Sequence, residues 1–150
     1  QNVLEELQRN GRRILPLAYV NTSLSLKAVV GRWGGAVATS ANAKTMLAWA
    51  LQESDSVLFL PDKHLGRNVG FALGLGEEDM HILRLSGFGL QNPTDPSHTK
   101  RLLLWPGSCP IHGERTVDEI RTIREKHPNA QIFVHPECPP YVVQASDGSG

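Results

Sequence analysis

The 150-residue chain has equal numbers of basic and acidic side chains, 15 of each, so its formal net charge is zero and its pI is near 7.2. This balance predicts neither a nucleic-acid partner nor binding to an anionic membrane surface, and 40% apolar residues suffice for a compact core. No apolar run approaches the ~20 residues that span a bilayer and no secretory pattern opens the sequence, so we expect a cytoplasmic protein.

The amino-terminal part alternates helix and strand patterns. The first predicted helix has an apolar face and ends at Gly11, and an apolar strand follows over residues 14–20. Pro16 lies inside that strand, and because proline lacks an N–H it predicts an edge position or a strand start. Ser23 is an N-cap candidate for a helix that ends near Gly31.

A second unit repeats this pattern. A short strand over residues 36–39 leads to Ser40 or Asn42 as the N-cap of an amphipathic helix. Hydroxyl groups at a helix N-terminus meet free N–H groups and the helix dipole, so Thr39 and Ser40 form a candidate anion site. Simple helix capping explains the same residues, and on local grounds it is the stronger interpretation.

The third unit places polar side chains at the end of another strand. The apolar run over residues 56–60 predicts a buried strand, and a helix punctuated by glycines follows and ends near Gly76. Between them lie Asp62, Lys63 and His64, which we expect in a loop. Ligands bind beyond the carboxyl ends of strands in open α/β sheets, so these three are site candidates, although each is equally consistent with a solvated loop.

The alternation of helices and strands is weaker over the next residues, and the apolar strand that follows them ends close to a cysteine and a histidine. Residues 77–101 favour an excursion with a short strand over 80–85, because the alternation resumes at residue 102. Residues 102–105 predict a buried parallel strand. Cys109 and His112 follow it, beyond the carboxyl end where chemistry is expected.

A second apolar run, over residues 131–134, ends in a similar set of polar side chains: His135, Glu137 and Cys138. Isolated cysteines are usually small buried side chains, so each set alone is a weak signal. Two strands that deliver titratable groups to the same edge of a sheet predict a functional site. Without a secretory signal, Cys109 and Cys138 are expected to be reduced thiols rather than a disulfide.

The last predicted helix begins at a capping box formed by Thr116 and Glu119, and its apolar stripe includes Ile120 and Ile123. Beyond Pro140 the pattern predicts neither a strand nor a helix, and the glycine-rich end indicates a truncated domain. The alternation as a whole predicts an α/β fold with a mostly parallel sheet.

Five blocks of the sequence form a set, and they are Tyr19-Val-Asn21, Thr39-Ser40-Ala-Asn42-Ala43, Phe59-Leu-Pro-Asp62-Lys-His64-Leu-Gly66-Arg-Asn68, Gly107-Ser-Cys109-Pro-Ile-His112 and His135-Pro-Glu137-Cys. In this order they resemble the signature blocks of the quinolinate synthase (NadA) family, and they span nearly all of the chain from about Leu15. The resemblance implies a three-layer αβα sandwich, one of three repeats around a pseudo-threefold axis. It also implies that the active site lies where the strand ends of the repeats converge.

The resemblance further implies a domain division and a cofactor. Residues 1–111 correspond to a complete αβα domain, the second repeat, and residues 112–150 to the beginning of the next, incomplete repeat. In the family each domain supplies one cysteine to a 4Fe-4S cluster that acts as a Lewis acid. By position Cys109 is one of the cluster ligands and Cys138 is not a cluster ligand. Because a single cysteine ligand is too few, we expect this chain alone to retain no cluster and to be inactive.

The implied reaction condenses iminoaspartate with dihydroxyacetone phosphate to quinolinate in de novo NAD biosynthesis. By position the catalytic residues are Tyr19, His112, His135 and Glu137, with Glu137 as the proton carrier that dehydration and tautomerisation need. The substrate-binding set contains these four residues together with Asn21 and Ser40, of which Ser40 binds an anionic group.

Two other functions fit the residues. The first is a small α/β module without a metal that holds an anionic metabolite at Thr39 and Ser40. The second is a zinc domain, since sulfur and imidazole ligands suit tetrahedral zinc. The zinc ligands would be Cys109, His112, His135 and Cys138.

Self-association of the chain is also expected, because it would cover apolar faces that sister domains would otherwise cover.

Overall fold

The computed structural model describes residues 2–9, 11–87 and 89–150. The strands are β1 (Ile14–Tyr19), β2 (Ala36–Ala38), β3 (Ser56–Leu60), β4 (Met80–Ile82), β5 (Leu85–Ser86), β6 (Gly89–Leu90), β7 (Leu102–Leu104), β8 (Phe133–Val134) and β9 (Gly148–Ser149). The α-helices are α1 (Asn2–Gln8), α2 (Leu24–Arg32), α3 (Ala43–Glu53), α4 (Lys63–Ala72), α5 (Pro110–Gly113), α6 (Val117–Lys126) and α7 (Pro140–Ala145). Two short 3-10 helices cover Glu77–Asp79 and Pro96–Thr99.

Five strands form the main sheet in the order β2-β1-β3-β7-β4, and every pairing in it is parallel. One apolar cluster joins a face of this sheet to α3 and α4, and a second joins the other face to α1 and α2. The predicted three-layer αβα sandwich with a parallel sheet is confirmed. Because both faces are covered, the central strands are apolar at nearly every position instead of alternating.

The helix α4 lies unusually close to the sheet because two of its residues are glycines. A Cβ atom on Gly66 would lie 2.5 Å from a leucine side chain of β7, and one on Gly70 would lie 2.7 Å from the end of Met80. The glycines therefore serve the packing of α4 on β7 and β4. The prediction of its bounds was wrong at both ends, since α4 begins at Lys63, with His64 in its first turn, and ends at Ala72. Asp62 draws the start of α4 forward because its carboxylate accepts the N–H of Leu65 as an N-cap.

The prediction that Pro16 marks an edge strand was wrong, because β1 lies between β2 and β3. Pro16 is paired with Leu58 of β3, but the register with β2 begins one residue later, at Leu17 and Ala36. The side of Pro16 that lacks an N–H therefore faces the turn before β2, where Gly35 passes close to the Pro16 carbonyl. The other predicted position, a strand start, applies only to the pairing of β1 with β2, which begins directly after Pro16 at Leu17.

The carboxyl-terminal part departs from its predictions. The strand expected over 131–134 shrinks to β8, which pairs with β9 in a separate two-stranded parallel sheet, so it does not extend the main sheet. A helix, α7, and the strand β9 occupy the end that we expected to lack both. Ile123 is 42% exposed, whereas Ile120 is buried, so the predicted stripe of α6 buries less than expected. A small cluster of Ile120, Ile132, Cys138 and Val142 forms the core here.

The predicted excursion over residues 77–101 contains Phe88, which lies outside the described residues. The short strand predicted in this excursion is confirmed as β4, which pairs with β7 and forms one edge of the main sheet. In the described part of the chain no helix is both long and apolar enough to cross a membrane.

Candidate active site at the carboxyl edge of the sheet

The carboxyl ends of the strands open into a cleft of about 310 Å³. Asn21 follows β1, Cys109 follows β7, and Glu137 arrives from the loop between β8 and α7. These three predicted site residues therefore line one cleft, together with Pro61, Asp62, Gly107 and Ser108.

Glu137 contacts two imidazole rings that stack on each other. Its Oε2 atom is 3.0 Å from His112 Nδ1 and 3.4 Å from His135 Nδ1, and the two rings stack with centroids 4.3 Å apart and an interplanar angle of 13°. Glu137 is 5% exposed, so its carboxylate is largely shielded from water, whereas the His112 side chain is partly exposed. A carboxylate and an imidazole in contact can pass a proton between them, which is the chemistry that general acid–base catalysis requires.

The second ring, His135, is held in a neutral state. The backbone N–H of Glu137 donates to His135 Nδ1 at 3.2 Å, so this nitrogen is the acceptor and the ring proton lies on Nε2. Burial lowers the pKa of His135 and the neighbouring His112 lowers it further, while the charge of Glu137 opposes both effects. His135 is therefore an uncharged hydrogen-bonding group at neutral pH.

Cys109 is half-buried and precedes the short helix α5, which carries His112. Its sulfur, one ring nitrogen of His112 and one carboxylate oxygen of Glu137 all lie within 4.8 Å of one another. Cys109 does not lie inside packed aliphatic side chains. The predicted sulfur, imidazole and carboxylate thus come together as potential ligands.

Tyr19 is the last residue of β1 and is 5% exposed. Burial raises the pKa of its phenol, and the negative charge of Glu137 raises it further, while a side-chain hydrogen bond with Ser40 opposes the shift. The charges of Asp62 and Cys109 raise the pKa of Tyr19 as well. Tyr19 is therefore a neutral hydroxyl at the site, and Ser40 lies beside it.

The anion site predicted at Thr39 and Ser40 is partly used by the protein itself. The N–H and the hydroxyl of Thr39 both donate to Asn42 Oδ1, at 2.7 and 3.1 Å. Local capping by Asn42 therefore explains Thr39, while Ser40 is oriented toward Tyr19.

Two buried residues hold the loops of the site in place: Asp62, which was a site candidate from the sequence, and Asn68, which was not. Asp62 is 2% exposed, and its Oδ2 atom accepts the Cys109 N–H at 2.7 Å while Oδ1 caps α4. Asn68, two turns further along α4, donates through Nδ2 to the carbonyls of Pro136 and Cys138, both at 2.8 Å. The helix α4 therefore fixes the Cys109 loop and the Glu137 loop at once. Both residues lie in the block 59–68 quoted above, which was the available signal.

The approach of the Cys109 loop to Asp62 also requires a glycine. Asp62 and Gly107 form a parallel β-bridge, and Lys63 N–H donates to the Gly107 carbonyl at 2.8 Å. A Cβ atom at position 107 would lie 2.5 Å from the carbonyl oxygen of Pro61. Any larger residue would push the loop, and with it Cys109, away from the edge of the sheet.

Cys138 takes a different position. Its side chain is 2% exposed and belongs to the aliphatic cluster with Ile120, Ile132 and Val142. Burial raises the pKa of the Cys138 thiol, which favours the protonated form. Among the described residues, the ligand group at this site contains Cys109, His112 and Glu137 and does not contain Cys138, so the predicted zinc quartet is not assembled.

Comparison with known proteins places this arrangement in a family. The family model of the quinolinate synthetase A protein (NadA) matches residues 2–150. The chain belongs to the NadA family. The quinolinate synthase of Geobacillus kaustophilus is 44% identical to it over 144 residues, which are 96% of this chain and 39% of that protein. The quinolinate synthases of Bacillus subtilis and Bacillus pumilus are 44% and 46% identical, and the matches cover 93% of this chain. The chain thus spans somewhat less than two fifths of the length of these curated relatives.

Proposed function

We propose that this chain supplies part of the active site of a quinolinate synthase, which condenses iminoaspartate with dihydroxyacetone phosphate to quinolinate in de novo NAD biosynthesis. The observation that carries the proposal is the convergence of Cys109, His112 and Glu137 within 4.8 Å at the cleft, in a chain of the NadA family. The relatives are more than twice as long, and we propose that further sequence of that kind completes the site.

The proposed cofactor is a 4Fe-4S cluster, and Cys109 is its proposed ligand in this chain. The fit is to one corner of such a cluster, because a partly exposed thiol lines the cleft while Cys138 is enclosed by aliphatic side chains. When bound, the cluster supplies a Lewis acid for the carbonyl and hydroxyl groups of the substrates. Thiolates from outside this chain would complete the ligand set, so the chain alone is expected to retain no cluster and to have no activity.

The proton transfers of the reaction are assigned to Glu137 and His112. Atom balance requires that phosphate and water leave when iminoaspartate and dihydroxyacetone phosphate form quinolinate, so protons must reach departing oxygens and leave carbon atoms. Glu137 Oε2, 3.0 Å from His112 Nδ1, can accept such a proton and exchange it with the ring. His135 supplies a neutral ring that stacks on His112 and holds its plane.

Substrate binding is assigned to Asn21, Tyr19 and Ser40. Asn21 lines the cleft and can donate or accept a hydrogen bond through its amide. Tyr19 and Ser40 offer neutral hydroxyls to carboxylate or phosphate oxygens, and a neutral donor remains available to an anion throughout the physiological pH range.

The experiment that tests the proposal compares Cys109→Ser with the matched variant Cys138→Ser in the full-length protein after anaerobic reconstitution with iron and sulfide. We expect Cys109→Ser to lose the visible absorbance of the cluster and quinolinate formation together. Cys138→Ser should keep both, because its thiol lies in the aliphatic cluster. A Cys109→Ser protein that kept cluster and activity would refute the assignment.

Zinc is a second candidate for this site, because one sulfur, one imidazole and one carboxylate within 4.8 Å suit a tetrahedral ion with an open position. The same preparation decides between the two. Stoichiometric zinc that survives dialysis, in place of iron, would favour the zinc alternative with Glu137 as the third ligand.

A further inference from the structure

A second group of side chains that can bind metal ions lies in the excursion over residues 77–101, which the proposed function does not use. His81 is the central residue of β4, Asp95 caps the 3-10 helix Pro96–Thr99, and His98 belongs to that helix. One ligand atom from each residue lies within 4.8 Å of the other two. We call these three residues the His-Asp-His cluster.

The His-Asp-His cluster shares no residue with the proposed active site. The segment that carries Asp95 and His98 enters β7 at its amino end, whereas Cys109 follows the carboxyl end of β7. The two groups of ligands therefore belong to separate sites.

Hydrogen bonds hold the cluster in shape. Asp95 Oδ1 accepts from the backbone N–H of Ser97 at 2.8 Å and from its hydroxyl at 2.6 Å, and the same hydroxyl lies 3.1 Å from His81 Nε2. Both contacts from Ser97 use Oδ1 of Asp95, so Ser97 does not engage Oδ2. The ring centroids of His81 and His98 lie 5.5 Å apart and the ring planes are inclined at 58°, so the rings do not stack.

An independent observation points to a missing ligand. His98 Nδ1 is buried and has no hydrogen-bond partner among the described residues. A buried polar atom without a partner is costly and usually has an explanation, such as an ion or water at the site. A buried imidazole nitrogen without a partner, on a residue that clusters with a carboxylate and a second imidazole, suits a bound metal ion.

The donor set selects the class of ion. Two imidazoles and one carboxylate suit Zn²⁺ and similar first-row divalent ions, whereas Mg²⁺ and Ca²⁺ need sets of oxygen ligands. Arg84 and Lys100 act on the charge of His81, so the surroundings do not attract cations by charge alone. Binding must therefore come from coordinate bonds to the two imidazoles and the carboxylate.

We propose that His81, Asp95 and His98 bind a divalent transition-metal ion of the zinc type. The ion ties the 3-10 helix Pro96–Thr99 to β4, which is an edge strand of the main sheet. Edge strands present unpaired backbone groups, and a segment pinned against one protects it from pairing with another chain.

The test is a titration of the chelator-treated chain with Zn²⁺ alone, carried out on Cys109→Ala so that the active-site ligands do not compete. We expect one equivalent to bind. His98→Gln in the same background should weaken binding by at least about tenfold, the lower bound seen when even an outer partner of a metal site is lost. His127→Gln, which changes an exposed histidine at the end of α6, is the matched control and should leave the affinity unchanged.

Equal affinity in His98→Gln and its parent would overturn the proposal, as would the absence of stoichiometric binding to the parent. Because His98→Gln could also alter folding, a second measurement uses the unsubstituted cluster. The ring resonances of His81 and His98 should shift on addition of Zn²⁺ and remain in place with Mg²⁺. Zinc-dependent shifts confined to other histidines would contradict the assignment.

Discussion

Replacement of Asp62 by serine separates the two tasks of this buried carboxylate. Oδ1 caps α4 at Leu65 N–H, at 2.8 Å, and Oδ2 holds Cys109 N–H at 2.7 Å. Serine is a good N-cap but offers a single short hydroxyl, so Asp62→Ser is expected to keep the cap and to release the Cys109 loop. Asp62→Ala should lose both contacts.

The size of the effect follows from the type of bond that is lost. A hydrogen bond to a charged group contributes about 1.5–3 kcal/mol, and each 1.4 kcal/mol corresponds to about tenfold in an equilibrium constant. Local opening that exposes the Cys109 amide should therefore become about 10- to 150-fold more frequent in Asp62→Ser. Asp62→Ala should cost about a further 1 kcal/mol in the free energy of unfolding, which is the usual value of a cap.

The assay is native-state hydrogen exchange of the Cys109 amide, followed by NMR, together with urea unfolding. Ser23→Ala is the matched control, because it removes the cap of α2 at Leu26 without touching the site. It should lower the free energy of unfolding by about 1 kcal/mol and leave the local exchange of Cys109 unchanged. Exchange in Asp62→Ser within twofold of the wild-type rate, or equal acceleration in Ser23→Ala, would refute the reasoning.

Three further predictions concern the same region. Asn68→Ala should lower the free energy of unfolding by about 2–4 kcal/mol in urea, because it leaves the carbonyls of Pro136 and Cys138 without their donor; a loss under about 0.5 kcal/mol would contradict this. Glu137→Gln in the full-length enzyme should retain the cluster and slow turnover by about 10²- to 10⁴-fold, whereas loss of the cluster would make Glu137 structural. Burial lowers the pKa of His64, so the unfolded chain binds a proton on His64 more readily than the folded chain does, and the free energy of unfolding should fall as the pH drops below 6.5. His64→Gln should reduce this pH dependence, and parallel curves of stability against pH for the two proteins would exclude the contribution of His64.

The fold was predictable where burial on both faces leaves a strong pattern. The strands β1, β3 and β7 are apolar at almost every position, so their positions were predicted to within a residue or two. The two-stranded sheet of β8 and β9 was not, because strands of two residues carry too little periodicity and Phe133 is 66% exposed. The division of the chain after residue 111 stays a prediction.

The site was predictable as a set of residues but not as a geometry. Cys109 and His112 follow an apolar strand, and this placed them at the carboxyl edge. Glu137 reaches the same cleft by a route that no local pattern shows, since its loop is held by Asn68 and not by a strand of the main sheet. Contacts between residues about seventy positions apart depend on how α4 packs, and that packing is set by glycines whose meaning is clear only in three dimensions.

The most direct measurement of the central claim is anomalous diffraction at the iron edge from crystals of the full-length protein after anaerobic reconstitution. We expect an iron peak at bonding distance from Cys109 Sγ, on the side of the cleft that His112 and Glu137 share. An iron site held by other residues with Cys109 unbound, or a zinc signal at this position, would contradict it.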